Sequence, residues 1–357
     1  MTLIPIQAAM NGTGKRIKAL LVAIILLASC LPAGAQENFR VMFYNVENMY
    51  DTKDNPDTHD DDFTPGGQLH WTNRRYWKKL NDISKVISSV GGKYPPALIG
   101  VCEVENDSVL FDLTKRADLR KHKYEYIITK SKDGRGSNVA LLYQRDQIKI
   151  TSKKFYTPVL KSNALKTTRD ILHVTGKVVN DEILDIFVCH FPSRRDGISR
   201  TRPDRIQCAE LLKQKTDSIF RIRKKANIII MGDFNDYPND TSLSEILAAH
   251  GLTGSISDRR LYNMFYHRVH EKNAGSYKYR GKWNFLDQFI VSGNLLSPSS
   301  GISIKGKEAH VYSAAFLLHD DNKKYGGQKP FRTYSGFKYP GGYSDHLPVY
   351  MDLIIKN

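Results

Sequence analysis

Cysteine is scarce in this chain, four residues in 357, and no two stand in the Cys-x-x-Cys spacing that grips zinc, which argues against a cysteine-held zinc site. No apolar run reaches the about 20 residues that a membrane-spanning helix needs. No repeat period and no low-complexity linker divides the sequence, so a single domain over 36–357 is the economical reading. An acidic excess is lacking as well. Lys and Arg number 53 against 37 Asp and Glu, a formal charge of +16, and such a surface attracts nucleic acid, phosphorylated sugars or anionic lipid heads. The acidic run from Asp51 to Asp62 has neither the spacing nor the glycine of an EF-hand and reads as a solvated loop. Hydrophobic residues at 41% and charged residues at 25% are ordinary for a globular protein and exclude a disordered or fibrous chain.

What is present at the N-terminus is a targeting pattern. Lys15, Arg16 and Lys18 precede the apolar run Ala19 to Leu31, and Pro32, Ala33, Gly34, Ala35 and Gln36 follow. A basic region, an apolar region and a small-x-small site together predict a secretory signal over 1–35, with Met10 a plausible start. Cleavage after Ala35 is the preferred reading; lipidation at Cys30 within Leu27-Ala28-Ser29-Cys30 is the alternative. Either way the mature protein is exported, to periplasm or medium, as a monomer without a membrane span. Its formal charge, less Lys15, Arg16 and Lys18, is +13. Cys102, Cys189 and Cys208 remain, and the apolar runs around Cys102 and Cys189 predict buried, inert thiols.

Apolar patterning predicts strands over 39–46, 97–104, 139–143, 171–179, 184–190, 228–231, 283–291 and 349–355, with helices over 76–89, 204–223 and 242–249. Such a mixture of βα units and hairpins favours a mixed sheet, or two sheets flanked by helices, over a doubly wound parallel sheet.

Polar residues interrupt these strands in one kind of place. Asn45 and Glu47 end the first and Glu103 and Glu105 the second; His190 follows Asp185 to Cys189, and Asp233 and Asn235 follow Ile228 to Met231. Asp287 lies within 285–290, and Asp345 and His346 precede the last strand. A turn after a strand uses Gly, Asp and Asn too, but strands sharing one rim would gather these side chains in one pocket. Oxygen-rich, hard ligation of this kind suits Mg²⁺, Mn²⁺ or Ca²⁺. Asp233 suits the orientation of a water, and Asn235 the donation of hydrogen bonds to an oxygen gaining charge.

The ordered blocks Tyr44-Asn45-Val46-Glu47, Val101-Cys102-Glu103-Val104-Glu105, Cys189-His190, Gly232-Asp233-Phe234-Asn235, Leu286-Asp287 and Ser344-Asp345-His346 resemble the endonuclease/exonuclease/phosphatase superfamily. The resemblance implies a mixed α/β, four-layer sandwich of two packed mixed β-sheets flanked by helices, with the site at one end of the sheets. It implies that Glu103 binds the metal with Asn45, that Glu47 stands where some members place a metal-binding aspartate, and that Asp345 assists with metal or water. Asp233 would orient the attacking water, Asn235 would stabilise the five-coordinate phosphorus, and His346 would be held by Asp287. His190 matches a second histidine of the deoxyribonuclease branch.

Arg169, Arg194 and Arg332 are candidates to grip substrate phosphate. The basic, aromatic stretch Lys323 to Gly342 could stack a base or cover a lipid head, or pack as a closing loop. The leading expectation is an exported, Mg²⁺-dependent nuclease acting on nucleic acid by metal-activated water. The alternatives are a phosphatase or sphingomyelinase-like phosphodiesterase and a catalytically idle polyanion-binding module.

Overall fold

A computed structural model describes residues 36–160 and 166–356; the predicted signal segment, with Met10, Cys30 and Ala35, lies outside them. Among the described residues no helix is long and apolar enough to cross a membrane. Two seven-stranded mixed sheets form the centre. The first runs β14 (Ile302–Ile304), β18 (Val349–Ile355), β1 (Gln36–Met49), β2 (Leu98–Val104), β4 (Asn138–Tyr143) and β3 (Glu125–Ile128), with β15 (His310–Val311) also on β18. The second runs β5 (Ile148–Tyr156), β6 (Ile171–Val178), β7 (Ile183–His190), β8 (Asn227–Asp233), β13 (Asp287–Ser292), β10 (Leu261–Asn263) and β9 (Ala249–His250). Two hairpins, β11 (Tyr277–Tyr279) with β12 (Lys282–Asn284) and β16 (Leu318–Asp320) with β17 (Gln328–Pro330), lie outside the sheets.

Alternation along the strands builds the layers. Val41, Phe43, Ile186, Val188, Ile229, Met231, Phe289 and Val291 share the core between the two sheets. Met42 and Tyr44, one residue out of step, face helix α1 (Asn73–Gly91), which buries Tyr76, Leu80, Ile83 and Ile87 at helical spacing. Phe187, Cys189, Ile228 and Ile230 face α3 (Ile198–Ile222) through Cys208 and Leu212. The expected order of helix, sheet, sheet, helix is therefore present, and each buried aliphatic side chain contributes about 1.5–3 kcal/mol. Cys102, Cys189 and Cys208 are free and buried. A short helix, α2 (Asp107–Phe111), capped by the Asn106 side chain, follows β2.

Three local expectations differ from the structure. Helix α3 starts at Ile198, not near Asp204, although Pro203 removes one backbone donor. Side chains hold that end instead: Thr201 donates to the Gly197 carbonyl at 2.8 Å and Arg205 to the Ile198 carbonyl at 3.1 Å. The strand expected over 283–291 is cut in two, because Phe285 and Leu286 turn the chain from the β12 hairpin into β13. The helix expected over 242–249 is one wide turn, Ser242–Ile246, before β9. Strands β3 and β5 were not foreseen; exposed Lys149, Lys153 and Lys154 on β5 dilute its apolar pattern.

Candidate active site

Register places the site. On the second sheet His190 pairs with Asp233 across parallel β7 and β8, and Asp233 pairs with Asp287 across antiparallel β8 and β13. These three residues form one row on adjacent strands. Each continues the inward-facing alternation of its strand: Val188 to His190, Met231 to Asp233, Phe289 to Asp287. On the first sheet Asn45 continues Val41 and Phe43. Polar side chains thus cap the inter-sheet core at one end, where strand geometry rather than loop flexibility fixes them.

Glu103 reaches this end by a different route. Alternation with Ile99 and Val101 would send it toward α1. Its φ of 62° and a register shift between Cys102 and Val104 turn it back, as a bulge does when it re-aims a side chain. Asn235 and Glu47 also have positive φ, 50° each. A non-glycine residue in the left-handed region costs on the order of 1–3 kcal/mol, and such costs cluster at functional sites.

Asp233 is the centre. Its Oδ1 accepts the Asn235 amide N–H at 2.9 Å. Its Oδ2 accepts from Asn45 Nδ2 at 3.1 Å and lies 3.7 Å from His190 Nε2 and 3.9 Å from His346 Nε2. Both histidine separations exceed a direct hydrogen bond. Burial, partly offset by His346, raises the Asp233 carboxyl to about 6, with Asp287 and Glu103 adding to the rise. It is ionised at neutral pH.

The two histidines are driven apart. Burial would lower His346, but Asp287, whose Oδ2 meets His346 Nδ1 at 2.6 Å, together with Asp233 and Asp345, raises it well above the ordinary imidazole value. His190 is pushed well below that value by burial and by Arg169, Arg135 and His346. One imidazolium and one neutral imidazole therefore flank the same carboxylate oxygen. Environments that separate two titratable groups in this way assign them different proton roles. Tyr277 covers the His346 ring, centroids 4.7 Å apart, and Ser344 braces the strand ends by donating to the Asn45 carbonyl at 2.7 Å and accepting the His346 N–H at 3.1 Å.

Glu103 fits a hard cation best. Burial would raise its carboxyl, yet Arg135, His346 and hydrogen bonds from the Asn48 N–H and Asn45 hold it below its ordinary value. Its Oε2 accepts the Asn48 N–H at 2.9 Å and its Oε1 faces Asn45 Nδ2 at 3.3 Å and His190 at 4.0 Å. Asn45 keeps its carbonyl oxygen on the Glu47 N–H at 3.0 Å, with a second lone pair left over. Asp233, Asp287 and His346 also bring ligand atoms within 4.8 Å of one another. That cluster includes a histidine nitrogen, so the Glu103 side is the better match to all-oxygen ligation.

The remaining candidates lie around this core. Glu47 is buried and raised to about 7 by burial and Asp345, against Lys79 and Arg332. Its carboxylate accepts the Thr333 N–H at 2.6 Å and Arg332 Nε at 3.3 Å, so it addresses the loop 332–334 and not the Glu103 carboxylate. Arg332 bridges Glu47 and Asp345, the latter at 3.2 Å. Arg169 is buried, bonded to Asp133 at 3.2 Å and to the Phe191 carbonyl at 2.7 Å. Arg194 binds the Asn235 carbonyl, Asp236 and Asp240 and lies over the Tyr237 ring. Asn235 Nδ2 donates to the Phe191 carbonyl at 3.0 Å, leaving its second N–H for another acceptor. Within the stretch from Lys323 to Gly342, Tyr334 packs on Trp71 and Tyr339, while Phe337 is exposed. Tyr277, buried Lys79 and Arg135 were missed by sequence reasoning; only Arg135 carried a signal, its place in Gly134-Arg135-Gly136.

Solved structures share this fold. An endonuclease/exonuclease/phosphatase family protein from Bacteroides thetaiotaomicron is similar at 17% identity and a TM-score of 0.54, covering 90% of this chain and 97% of that one. A mannosyl-6-phosphatase of the same organism is similar at 16% identity and a TM-score of 0.53, over 89% of this chain and 100% of that one. Danio rerio TDP2 complexed with a single-strand DNA product is similar at 12% identity and a TM-score of 0.51, over 88% of this chain and 98% of that one. Comparison with curated protein sequences finds no match. A model of the endonuclease/exonuclease/phosphatase family matches residues 40–355, nearly all of the described chain, and the protein belongs to that family.

Proposed function

We propose that this protein is an exported, divalent-metal-dependent phosphodiesterase, a nuclease that hydrolyses nucleic acid with a water held at Asp233. Enzymes of this family are phosphoester hydrolases that generally depend on a divalent metal. The observation that carries the reading is the convergence of Asn45 Nδ2, His190 Nε2 and His346 Nε2 on Asp233 Oδ2, at 3.1, 3.7 and 3.9 Å. In this scheme ionised Asp233 orients the water and draws its proton as the oxygen attacks phosphorus, while the bond from phosphorus to the leaving ester oxygen breaks and that oxygen takes its proton from solvent. His346, kept protonated by Asp287, donates to a phosphoryl oxygen, and the free Asn235 N–H donates to a second. Neutral His190 supplies a hydrogen bond without adding charge. A divalent ion, Mg²⁺ being the first candidate, would sit on Glu103 and Asn45 and supply positive charge to the phosphate oxygens. Net positive charge favours a polyanionic substrate.

A phosphatase acting on phosphorylated sugars is the second reading, favoured by the likeness to a mannosyl-6-phosphatase over 89% of the chain. Purified protein lacking 1–35, with Mg²⁺, Mn²⁺ or Ca²⁺, should be offered plasmid DNA, RNA, a phosphomonoester panel and sphingomyelin, with Asp233→Ala as the blank. Nicking or RNA cleavage is expected. Turnover of a monoester or lipid alone moves the assignment to the second reading, and salt-sensitive binding without turnover points to an idle binding module.

A further inference from the structure

The hairpin of β11 and β12 has two faces. Tyr277 is turned toward His346, ring centroids 4.7 Å apart, and alternation puts the cross-strand pair Lys278 and Trp283 on the opposite side. Behind that side lies a cavity of about 700 Å³, closed by parts of the segments 311–318 and 325–328 and by Arg268, Asn273 and Leu347. Its volume is that of a small-molecule site. No residue of the Asp233 centre lines it.

The two charged residues in its walls are both paired. Lys278 Nζ meets Asp321 at 3.2 Å and donates to the Gly326 and Gln328 carbonyls at 2.8 and 3.1 Å. Arg268 meets Glu271 through two bonds of 2.9 Å. Among the described residues no carboxylate lines the cavity. An anion would find no unpaired cation there, and a cation no counter-charge. What stays open is neutral and polar: the side chains of Asn273, Ser313 and Gln328 and the indole N–H of Trp283 have no hydrogen-bond partner among the described residues. Amides and hydroxyls both donate and accept, so a purely apolar ligand would leave them unsatisfied. Trp283, half-buried, adds a flat aromatic wall.

We propose that this cavity binds a neutral saccharide, one sugar ring resting on Trp283 with its hydroxyls on Asn273, Ser313 and Gln328. A sugar ring offers C–H faces to an aromatic surface and, at its edge, hydroxyls that donate and accept, the combination that these walls present. A nucleotide fits less well, because its phosphate would lack a cation. The Leu347 N–H donates to the Ser276 carbonyl at 2.7 Å, so a saccharide held there lies one hairpin away from His346. Nothing in this site depends on the reaction at Asp233.

Calorimetry and tryptophan fluorescence test the site. Mannose, glucose, galactose and N-acetylglucosamine, with adenosine and thymidine beside them, are titrated into the wild type, Asn273→Ala, Gln328→Ala, Trp283→Phe and Asp233→Ala. At least one sugar should bind the wild type and change its fluorescence, and that change should be absent from Trp283→Phe. Asn273 and Gln328 are exposed, so their variants keep the fold; each should bind the sugar about three- to tenfold more weakly, the scale of one lost hydrogen bond. Asp233→Ala should bind it as the wild type does. Failure of all four sugars to bind overturns the proposal, as does wild-type affinity in both Asn273→Ala and Gln328→Ala. Loss of sugar binding in Asp233→Ala alone would move the sugar to the active site and overturn it too. Nucleosides that bind where sugars do not overturn the saccharide assignment.

Discussion

Two histidines around one carboxylate, one driven toward the charged form and the other toward the neutral form, give the site its chemical direction. The separation depends on Asp287, which is fully buried and whose Oδ2 meets His346 Nδ1 at 2.6 Å. Asp287→Asn should therefore return His346 toward an ordinary imidazole value, read as a shift of its titration in proton NMR, and should cut kcat by about a hundredfold or more. An unshifted titration would mean that Asp287 does not hold the ring's charge. Activity should also fall on the acid side as Asp233 protonates. Because the carboxylate is the active form and its value is about 6, kcat/KM should drop tenfold per pH unit below that value and level off above it. Asp233→Asn should lower the rate by about 10²–10⁴-fold without unfolding the chain.

Glycine and glutamate set the elements that carry these residues. Gly232 lies where β8 approaches β7 so closely that a Cβ would stand 2.4 Å from the Cys189 carbonyl oxygen. Gly232→Ala should destabilise the protein by about 1–3 kcal/mol, seen as a lower denaturant midpoint, and should weaken catalysis by moving Asp233. Glu47 anchors the loop from Arg332 to Tyr334, helped by Lys79, whose Nζ donates to the Thr333 hydroxyl at 2.6 Å. Glu47→Gln should speed limited proteolysis of that loop while leaving Mg²⁺ affinity within about twofold, whereas a metal ligand there would cost 10- to 100-fold, the scale seen for groups that support a metal.

Much of this was legible in the sequence. Asn45, His190 and Asp233 each follow two or more apolar residues of the same parity, so a strand reading already points them inward. Asp287 stands in the same relation to Phe289 and Val291 read backwards along β13. Glu103 could be named from the resemblance but not aimed, since its direction depends on a bulge that alternation does not predict. Glu47 shares the parity of Asn45, yet the left-handed backbone there turns it to a loop 285 residues away. Arg135 sits in a glycine-flanked loop, where no periodicity operates and only tertiary contacts place a side chain.

At the scale of the molecule, the four layers put a rigid, buried carboxylate centre under a surface of net positive charge. A polyanionic substrate should feel that surface and a small monoester should not. On nucleic acid, log kcat/KM measured below saturation should fall with log salt concentration by about 0.7–0.9 per phosphate contact, while a monoester such as p-nitrophenyl phosphate should show a shallow dependence. Equal slopes would remove the argument from charge to substrate.

In the proposed mechanism Asp233 holds the water that attacks a phosphodiester. Plasmid nicking by the wild type and by Asp233→Ala, in Mg²⁺ at neutral pH and with both proteins shown to be folded, is the decisive measurement. Nicking by the wild type and a loss of about 10²–10⁴-fold in the variant are expected. Nicking at the wild-type rate by Asp233→Ala would contradict the mechanism, and a wild type that leaves plasmid and RNA intact while cleaving a phosphomonoester would contradict the substrate.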